Sequence, residues 1–377
     1  MTRTVPPGWD HAPSATCGSV GEHALIHWIS TTVGAPASKD VLIGIGDDAA
    51  VVVPRRNHVD VLTTDVQVDG VHFTRTLSSP ADVGHRALHT NLSDIAAMGA
   101  EPRVALLSLG LPADLEAVWV AELVQGLVTS ARAAHVHLIG GNISRSPVLF
   151  IDVTVSGAVK PRHVLRRGGA RPGDELYVSG EVGAAAAGLA WLQHDAVGRA
   201  GSPSRPSPHD AADAGHDDGR LGQPAVPTEI EAAILRYRRP EARVALGMQI
   251  GRNKAASACM DTSDGLADAL RQLAAASGVG VRVETATVPV SPAVALVAER
   301  LGADPQALTW SGGEDYELLF AVPRRARRRF LHASGRKGLP LVTRIGLCTK
   351  ESALVLVDGA GTETVLPGGF EHFGGTA

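Results

Sequence analysis

The chain has 377 residues, 44% of them hydrophobic, 20% charged and 4% aromatic, with a formal charge of −4. That is enough apolar material for one large or two medium cores, built mostly from Val, Ala, Leu and Ile. The charge excludes a whole-chain electrostatic case for nucleic acid or an anionic membrane. The three cysteines are widely spaced and form no CxxC, which excludes a disulfide scaffold or a zinc knuckle.

Residues 1–18 read as a loose leader rich in Pro, Ser and Thr, and Glu22 to Ile29 as a short helix. From Val41 the chain alternates apolar strands with acidic turns, VLIGIGDDAAVVV and then DVLTTDVQVDGVHF. Pro80 to Met98 has helical spacing at Leu88, Leu92 and Ile95. RVALLSLGLP reads as a strand, Leu115 to Ala134 as a long helix, and VHLIGG and VLFIDVTVSGAV as strands enclosing a loop at Asn142–Pro147. Strands and helices mix without repeated strand–helix units, so the fold class is α+β rather than a doubly wound sheet. A second unit opens near RPGDELYVSGEVG with a helix from Ala184 to Leu192. Residues 194–226, rich in His, Asp, Gly, Pro and Ser, cannot bury enough apolar surface to order themselves and read as a mobile insertion. EIEAAILRYRRP, a helix beginning near Asp264, the strand in VGVRVETATVPV and the turn-to-strand GGEDYELLFAVP follow. Arg324, Arg325 and Arg327 to Arg329 read as a solvated helix face, and Cys259 as core packing. The N-terminus lacks the apolar stretch of a signal peptide, and no run reaches the roughly 18 apolar residues of a membrane span. The cytoplasm is the default expectation.

The informative feature is a set of carboxylates in glycine-rich turns at strand ends. They are Asp47, Asp48, Asp65, Asp69, Asp94, Asp261, Asp264, Glu314 and Asp315. Their flanks are apolar, which puts them at the edge of a pocket rather than on a uniformly polar surface. Gathered together they repel one another unless divalent cations or cationic ligand groups share the cavity. Oxygen-only donors of this kind suit Mg²⁺, which takes few carboxylates and completes its shell with water and phosphate. GIGDD and LIGGN offer small backbone that phosphate oxygens can approach. There is no Walker A loop, dinucleotide fingerprint or GxSxG elbow. Phosphoryl transfer needs none of these, because positioning and charge neutralisation can suffice. Arg145 or Arg167 could neutralise the transferring phosphate. His72 follows a glycine turn, and ligand contact and packing both remain open for it. His23, His85 and His89 fall on helices and read as structural or solvent-facing.

GEHALI, GIGDDAAVV, TTDVQVDGVHF, NLSDIAAMGA, LIGGNISR, RPEARVALG, MDTSDGL, SGGEDYELLF and GGFEHF, in that order from about residue 21 to 375, resemble the bacterial thiamine-monophosphate kinases. These belong to the superfamily of aminoimidazole ribonucleotide synthetase and selenophosphate synthetase. The latter is disfavoured because no Cys precedes the first glycine-acidic segment at a catalytic distance. The resemblance implies a two-domain aminoimidazole-ribonucleotide-synthetase-like fold. After the 1–18 leader, an N-terminal domain (19–165) binds ATP and Mg²⁺ and carries a mixed sheet that pairs across a homodimer. A larger C-terminal α/β domain (166–377) carries the 194–226 insertion. It implies Mg²⁺-dependent transfer of the ATP γ-phosphate to thiamine monophosphate, giving thiamine diphosphate and ADP. Carried over residue by residue, Asp48, Asp65, Asp94, Asp261 and Asp264 are implied Mg²⁺ ligands. Thr64, Gly141, Asn142, Arg167 and Ser263 are implied nucleotide contacts, and His72, Glu314 and Phe370 implied contacts to thiamine monophosphate. The family's segment here is two glycines followed by aspartate, whereas this chain has Asn142, which keeps an oxygen but loses a charge. That substitution implies one more weakly held Mg²⁺. It also admits two alternatives: a related ATP-dependent enzyme acting on another small metabolite, or a non-catalytic nucleotide-binding paralogue.

Overall fold

The computed structural model describes residues 6–34, 38–200 and 226–368. Its first half contains α1 (Cys17–Val20), α2 (Glu22–Val33), β1 (Val41–Ile43), β2 (Val51–Val52), β3 (Val59–Val68) and α3 (Pro80–Ala97). β4 (Glu101–Leu111), α4 (Ala117–Ala133), β5 (His137–Arg145) and β6 (Phe150–Val159) complete it. Four strands form a mixed sheet in the order β3-β6-β4-β5, parallel only between β4 and β5, while β1 and β2 form a separate ribbon. The second half contains β7 (Glu175–Ser179), α5 (Ala184–Ala200), α6 (Thr228–Arg238), α7 (Val244–Arg252), β8 (Ala258–Asp261) and α8 (Leu266–Ser277). β9 (Gly280–Glu284), α9 (Pro292–Leu301), β10 (Leu318–Val322), α10 (Arg327–Ser334), β11 (Val342–Thr349), β12 (Leu354–Val357) and β13 (Glu363–Val365) follow. Its seven strands run β13-β12-β9-β11-β7-β10-β8. The two-domain α+β architecture is therefore as expected. No helix among the described residues is long and apolar enough to cross a membrane.

The period-2 pleat decides which β3 side chains meet the core. Thr63, Asp65 and Gln67 point to the side covered by α3, while Leu62, Thr64 and Val66 lie on the opposite, exposed side. α3 starts at Ser79, whose hydroxyl accepts from the Asp82 N–H at 3.2 Å, with Pro80 in the first turn. Most of its circumference is buried, because the sheet, α4 and the second domain all touch it. Ala96 and Ala97 at its end share a core with Leu246, Ile250, Phe320 and Phe330. A Cβ on Gly247 of α7 would lie 2.0 Å from the Ala96 carbonyl oxygen, so only glycine permits this close domain contact.

A second fastening is ionic. Glu317, fully buried just before β10, accepts from Arg243 Nε at 2.8 Å, Arg236 Nη2 at 2.6 Å and Ser179 Oγ at 2.5 Å. Its carboxylate ties α6, the start of α7 and β7 to β10. Removing it would strand two guanidiniums, a loss of about 3–5 kcal/mol for a buried pair.

Several sequence expectations change. The leader is not loose over its described part: Trp9 and Cys17 are buried, and Trp9 packs edge-on against Trp28 at 5.5 Å. The Cys17 and Gly18 N–H groups also bond to Leu115 O and Ala113 O. The loop placed at Asn142–Pro147 is strand as far as Arg145, because β5 keeps its pairing with β4 beyond the glycines. The helix placed at Ala184–Leu192 continues to Ala200, and residues 201–225 of the 194–226 insertion lie outside the described residues. Arg324, Arg325 and Arg327 to Arg329 are exposed, as expected, and Cys259 is buried.

His85 and His89 prove structural. They stack at 4.0 Å between α3, α4 and the segment after α6. His85 meets Ser130 Oγ at 2.8 Å and Pro240 O at 2.9 Å, and His89 Nδ1 accepts from the Ala242 N–H at 3.2 Å. Burial, then His85 and Arg239, push the His89 imidazole down from 6.5 to about 3. Burial also lowers His85, with Arg239 adding to that effect and Pro240 O, Asp82 and Glu241 opposing it. Between these values the unfolded chain binds a proton that the folded chain refuses. This contribution is therefore complete above pH 6.5 and is lost as pH falls toward 3. Unfolding free energies from urea titrations at pH 7.5 and 5.5 should show wild type losing about 1.4 kcal/mol more than His89→Gln over that interval. Equal pH slopes would remove the histidine stack as the cause.

Candidate active site

From the first domain, β3 and α3 bring together Asp65, Asp94, Thr63 and Thr90. Thr63 Oγ1 donates to Asp94 Oδ2 at 2.5 Å. Burial, then the charges of Asp94, Asp152 and Asp264, push the Asp65 carboxyl up to about 6 against a hydrogen bond from Thr90. Asp94 is raised too, chiefly by burial, with Thr63 and the Arg167 guanidinium pulling the other way.

From the second domain, β8 ends on Asp261, only 5% exposed, and delivers Ser263 and Asp264 in the following turn. Ser93 of α3 donates to Asp261 Oδ2 at 2.7 Å across the domain junction. Burial and the charge of Asp94 are the leading causes that raise the Asp261 carboxyl to about 7. The turn before β10 supplies Glu314, whose φ is +74°, with Tyr316 at +51°. Non-glycine residues rarely adopt this left-handed region, and where they do it is often beside a functional site.

A cavity of about 650 Å³ lies between these elements, lined by Asp65, Asp94, Asp261, Asp264, Ser263, His72 and Glu314. Of the other implied site residues, Asp48, Thr64, Gly141, Asn142, Arg145 and Arg167 do not line it, and Phe370 lies outside the described residues. Asp48 is exposed on the β1–β2 connection, where its N–H donates to Asp47 Oδ1 at 2.8 Å. Thr64 is on the outer face of β3, donating to Asp152 Oδ1 at 2.8 Å. Asn142 shares that face, two strands from Asp152 with Ser108 between. A Cβ on Gly141 would sit 1.8 Å from Leu107 O, so this position of β5 demands glycine. Arg145 ends β5 exposed, and Arg167 donates to Gln272 while its charge reaches Asp94. Asp315 and Asp69 do not belong to the cluster. Asp315 is buried, accepting from the Gly183 and Ala185 N–H groups at 2.6 and 2.9 Å at the start of α5, and Asp69 pairs with Arg75 at 2.9 Å.

Sequence reasoning missed Arg86, Gln67, Tyr237 and Asp152. Arg86 is 2% exposed and donates to Glu314, and its only sequence signal is a charge three residues from Val83 on a buried helix face. Asp152 alternates with the buried Ile151 and Val153, which reads as an ordinary solvent-facing strand position.

Among the described residues no three His, Cys, Asp or Glu side chains are grouped so as to hold an ion by themselves. The donor set nonetheless fits Mg²⁺, which binds through one or two carboxylates together with phosphate and water. Burial is the chief cause of the raised carboxyl pKa values, with neighbouring carboxylates adding to it at Asp65 and Asp261, and a bound cation would oppose both effects.

Residues 46–159 match the AIR synthase related protein N-terminal domain, and residues 171–359 match the corresponding C-terminal domain. The thiamine-monophosphate kinase of Escherichia coli K12 is 35% identical over 337 residues, 89% of this chain and 93% of that protein. The chain belongs to the thiamine-monophosphate kinase family. The thiamine-monophosphate kinase structure from Stenotrophomonas maltophilia K279a is 33% identical, with a TM-score of 0.71 over 89% of this chain and 96% of that one. The structure of AaThiL complexed with AMPPCP and TMP is 32% identical, with a TM-score of 0.68 over 94% and 97%. Membership of the thiamine-monophosphate kinase family fits a cavity in which both domains supply carboxylates.

Because the cluster repels itself without a cation, neutralising one member relieves strain. Asp261→Asn should raise stability in EDTA by about 1–2 kcal/mol, or a few degrees in Tm, while lowering turnover at least about 100-fold. Differential scanning fluorimetry beside a turnover assay checks this. An unchanged or lower Tm in EDTA would contradict the account of the cluster.

Proposed function

We propose that the protein is an ATP- and Mg²⁺-dependent kinase that phosphorylates thiamine monophosphate on its phosphate, giving thiamine diphosphate and ADP. The observation that carries this reading is the convergence of Asp65 and Asp94 with Asp261 and Asp264 beside His72 and Glu314 in one cavity. In this reading Asp48, Asp65, Asp94, Asp261 and Asp264 hold Mg²⁺, which supplies charge neutralisation at the phosphate oxygens. Thr64, Gly141, Asn142, Arg167 and Ser263 hold the nucleotide, with Arg145 and Arg167 placing the phosphates. Asn142 leaves its position neutral on the same sheet face as the Thr64–Asp152 pair, with Ser108 between.

His72, Glu314 and Phe370 receive the acceptor. The Val68 N–H donates to His72 Nδ1 at 3.1 Å, which leaves the neutral ring's proton on Nε2, a donor suited to an anionic oxygen. Glu314 offers negative charge to the cationic thiazolium of the acceptor. A phosphate oxygen of the acceptor attacks the γ-phosphorus, the bond from that phosphorus to the β,γ-bridging oxygen breaks, and ADP leaves. The attacking oxygen is already anionic, so alignment matters more than a general base, and no covalent enzyme intermediate is required.

A homodimer and a cytoplasmic location belong to the same proposal. The outer face of the first sheet exposes Leu62 (71%), Val66 (44%) and Leu106 (40%), apolar surface that a second copy would cover. The domain division at 165/166 is likewise proposed. It is supported by Leu165 N–H bonding back to Met98 O while Arg166 O accepts from the Cys259 N–H.

Incubating the purified protein with ATP, Mg²⁺ and thiamine monophosphate should yield thiamine diphosphate and ADP in equal amounts by mass spectrometry. Nucleotide binding without thiamine diphosphate would reject the reading in favour of another acceptor or a non-catalytic paralogue.

A further inference from the structure

Arg86 does not itself line the cavity, but its partners Gln67, Tyr237 and Glu314 do, and they come from three separate elements. Its side chain, 2% exposed on α3, donates from Nε to Gln67 Oε1 of β3 at 3.3 Å and from Nη1 to Tyr237 O of α6 at 3.2 Å. Nη2 donates to Glu314 Oε1, and the guanidinium carbon lies 4.9 Å from the centre of the Tyr237 ring. Each of the three nitrogens of the planar fork donates to a different residue, which fixes the orientation of the group. Its ion-pair partner differs in kind from Glu317, the fully buried anchor. The Glu314 side chain keeps 28% exposure and lines the cavity. The Glu314 backbone needs outside support, because φ is +74° and among the described residues the bond from its N–H to Ser263 O, at 2.7 Å, is what holds it from the main-chain side.

We propose that Arg86 is a positioning residue for the acceptor. It fixes Glu314 in the cavity wall by one carboxylate oxygen, so that the other oxygen meets the cationic portion of the ligand. Because Gln67 and Arg86 belong to the first domain and Tyr237 and Glu314 to the second, the acceptor subsite is set only when the two domains are seated together. The inference rests on the reading of Glu314 as an acceptor contact, and it assigns Arg86 no part in holding nucleotide.

Isothermal titration with thiamine monophosphate, and separately with Mg²⁺–AMPPCP, tests it on wild type, Arg86→Lys, Arg86→Met, Glu314→Gln and the double variant Arg86→Met/Glu314→Gln. Arg86→Met should weaken thiamine monophosphate about tenfold or more and Arg86→Lys about threefold, with Mg²⁺–AMPPCP affinity held within about twofold. The double variant leaves no lone buried charge and should bind thiamine monophosphate no more weakly than Glu314→Gln, because the two residues act as one unit. If Arg86→Met does not fold, Arg86→Lys and the double variant carry the comparison. Unchanged thiamine monophosphate affinity in the Arg86 variants, or equal loss for both ligands, overturns the inference alone. A wild type that binds no thiamine monophosphate overturns the reading of the cavity and this inference with it.

Discussion

Four aspartates face one cavity from two domains, and their mutual repulsion is the constraint the rest of the structure answers. Asp65 and Asp94 arrive on β3 and α3, and Asp261 and Asp264 at the end of β8. Left to themselves, these charges would drive the domains apart. α3 opposes this because it belongs to the first core yet packs on α7 and β8 of the second. The glycine contact at Gly247 and the Ser93–Asp261 hydrogen bond sit on that same helix.

The second domain is stiffened where it supplies the cluster. Glu317 gathers Arg236, Arg243 and Ser179, and Asp315 caps the start of α5. These two buried carboxylates flank Tyr316, and Glu314 stands just before them in a conformation few non-glycine residues take. Three acidic residues within four positions thus have different tasks. Two anchor the turn and one lines the cavity. Strain at a cavity-lining residue is sustained by ordinary structural bonds on either side of it.

Much of this was legible in the sequence. Asp261 and Asp264 stand out because they follow an apolar strand into a turn, whereas the turns expected at Asp65 and Asp94 are absent: Asp65 lies inside β3 and Asp94 inside α3, brought to the cavity by the strand pleat and the helix face. Helical spacing located α3 and the long α4 within a residue or two. What was not legible depended on neighbours distant in the chain. Nothing local separates Glu314 from Asp315, since their roles follow from whether α5 or α3 lies opposite. Arg86 is hidden for the same reason: an arginine on a helix reads as surface until Gln67, Tyr237 and Glu314 are seen around it. β5 runs through its glycines because β4 pairs with it, and the Trp9 leader orders because Trp28 offers an aromatic edge.

The claim that both domains act on a shared cation field is tested most directly by a double-mutant cycle. Mg²⁺ affinity would be measured by calorimetry in the presence of AMPPCP for wild type, Asp65→Asn, Asp261→Asn and the double variant. Each single change should weaken Mg²⁺, and the combined loss should fall short of the sum by about 1 kcal/mol or more, although the residues belong to different domains. Strictly additive losses would contradict the account and leave two carboxylates that serve separate sites.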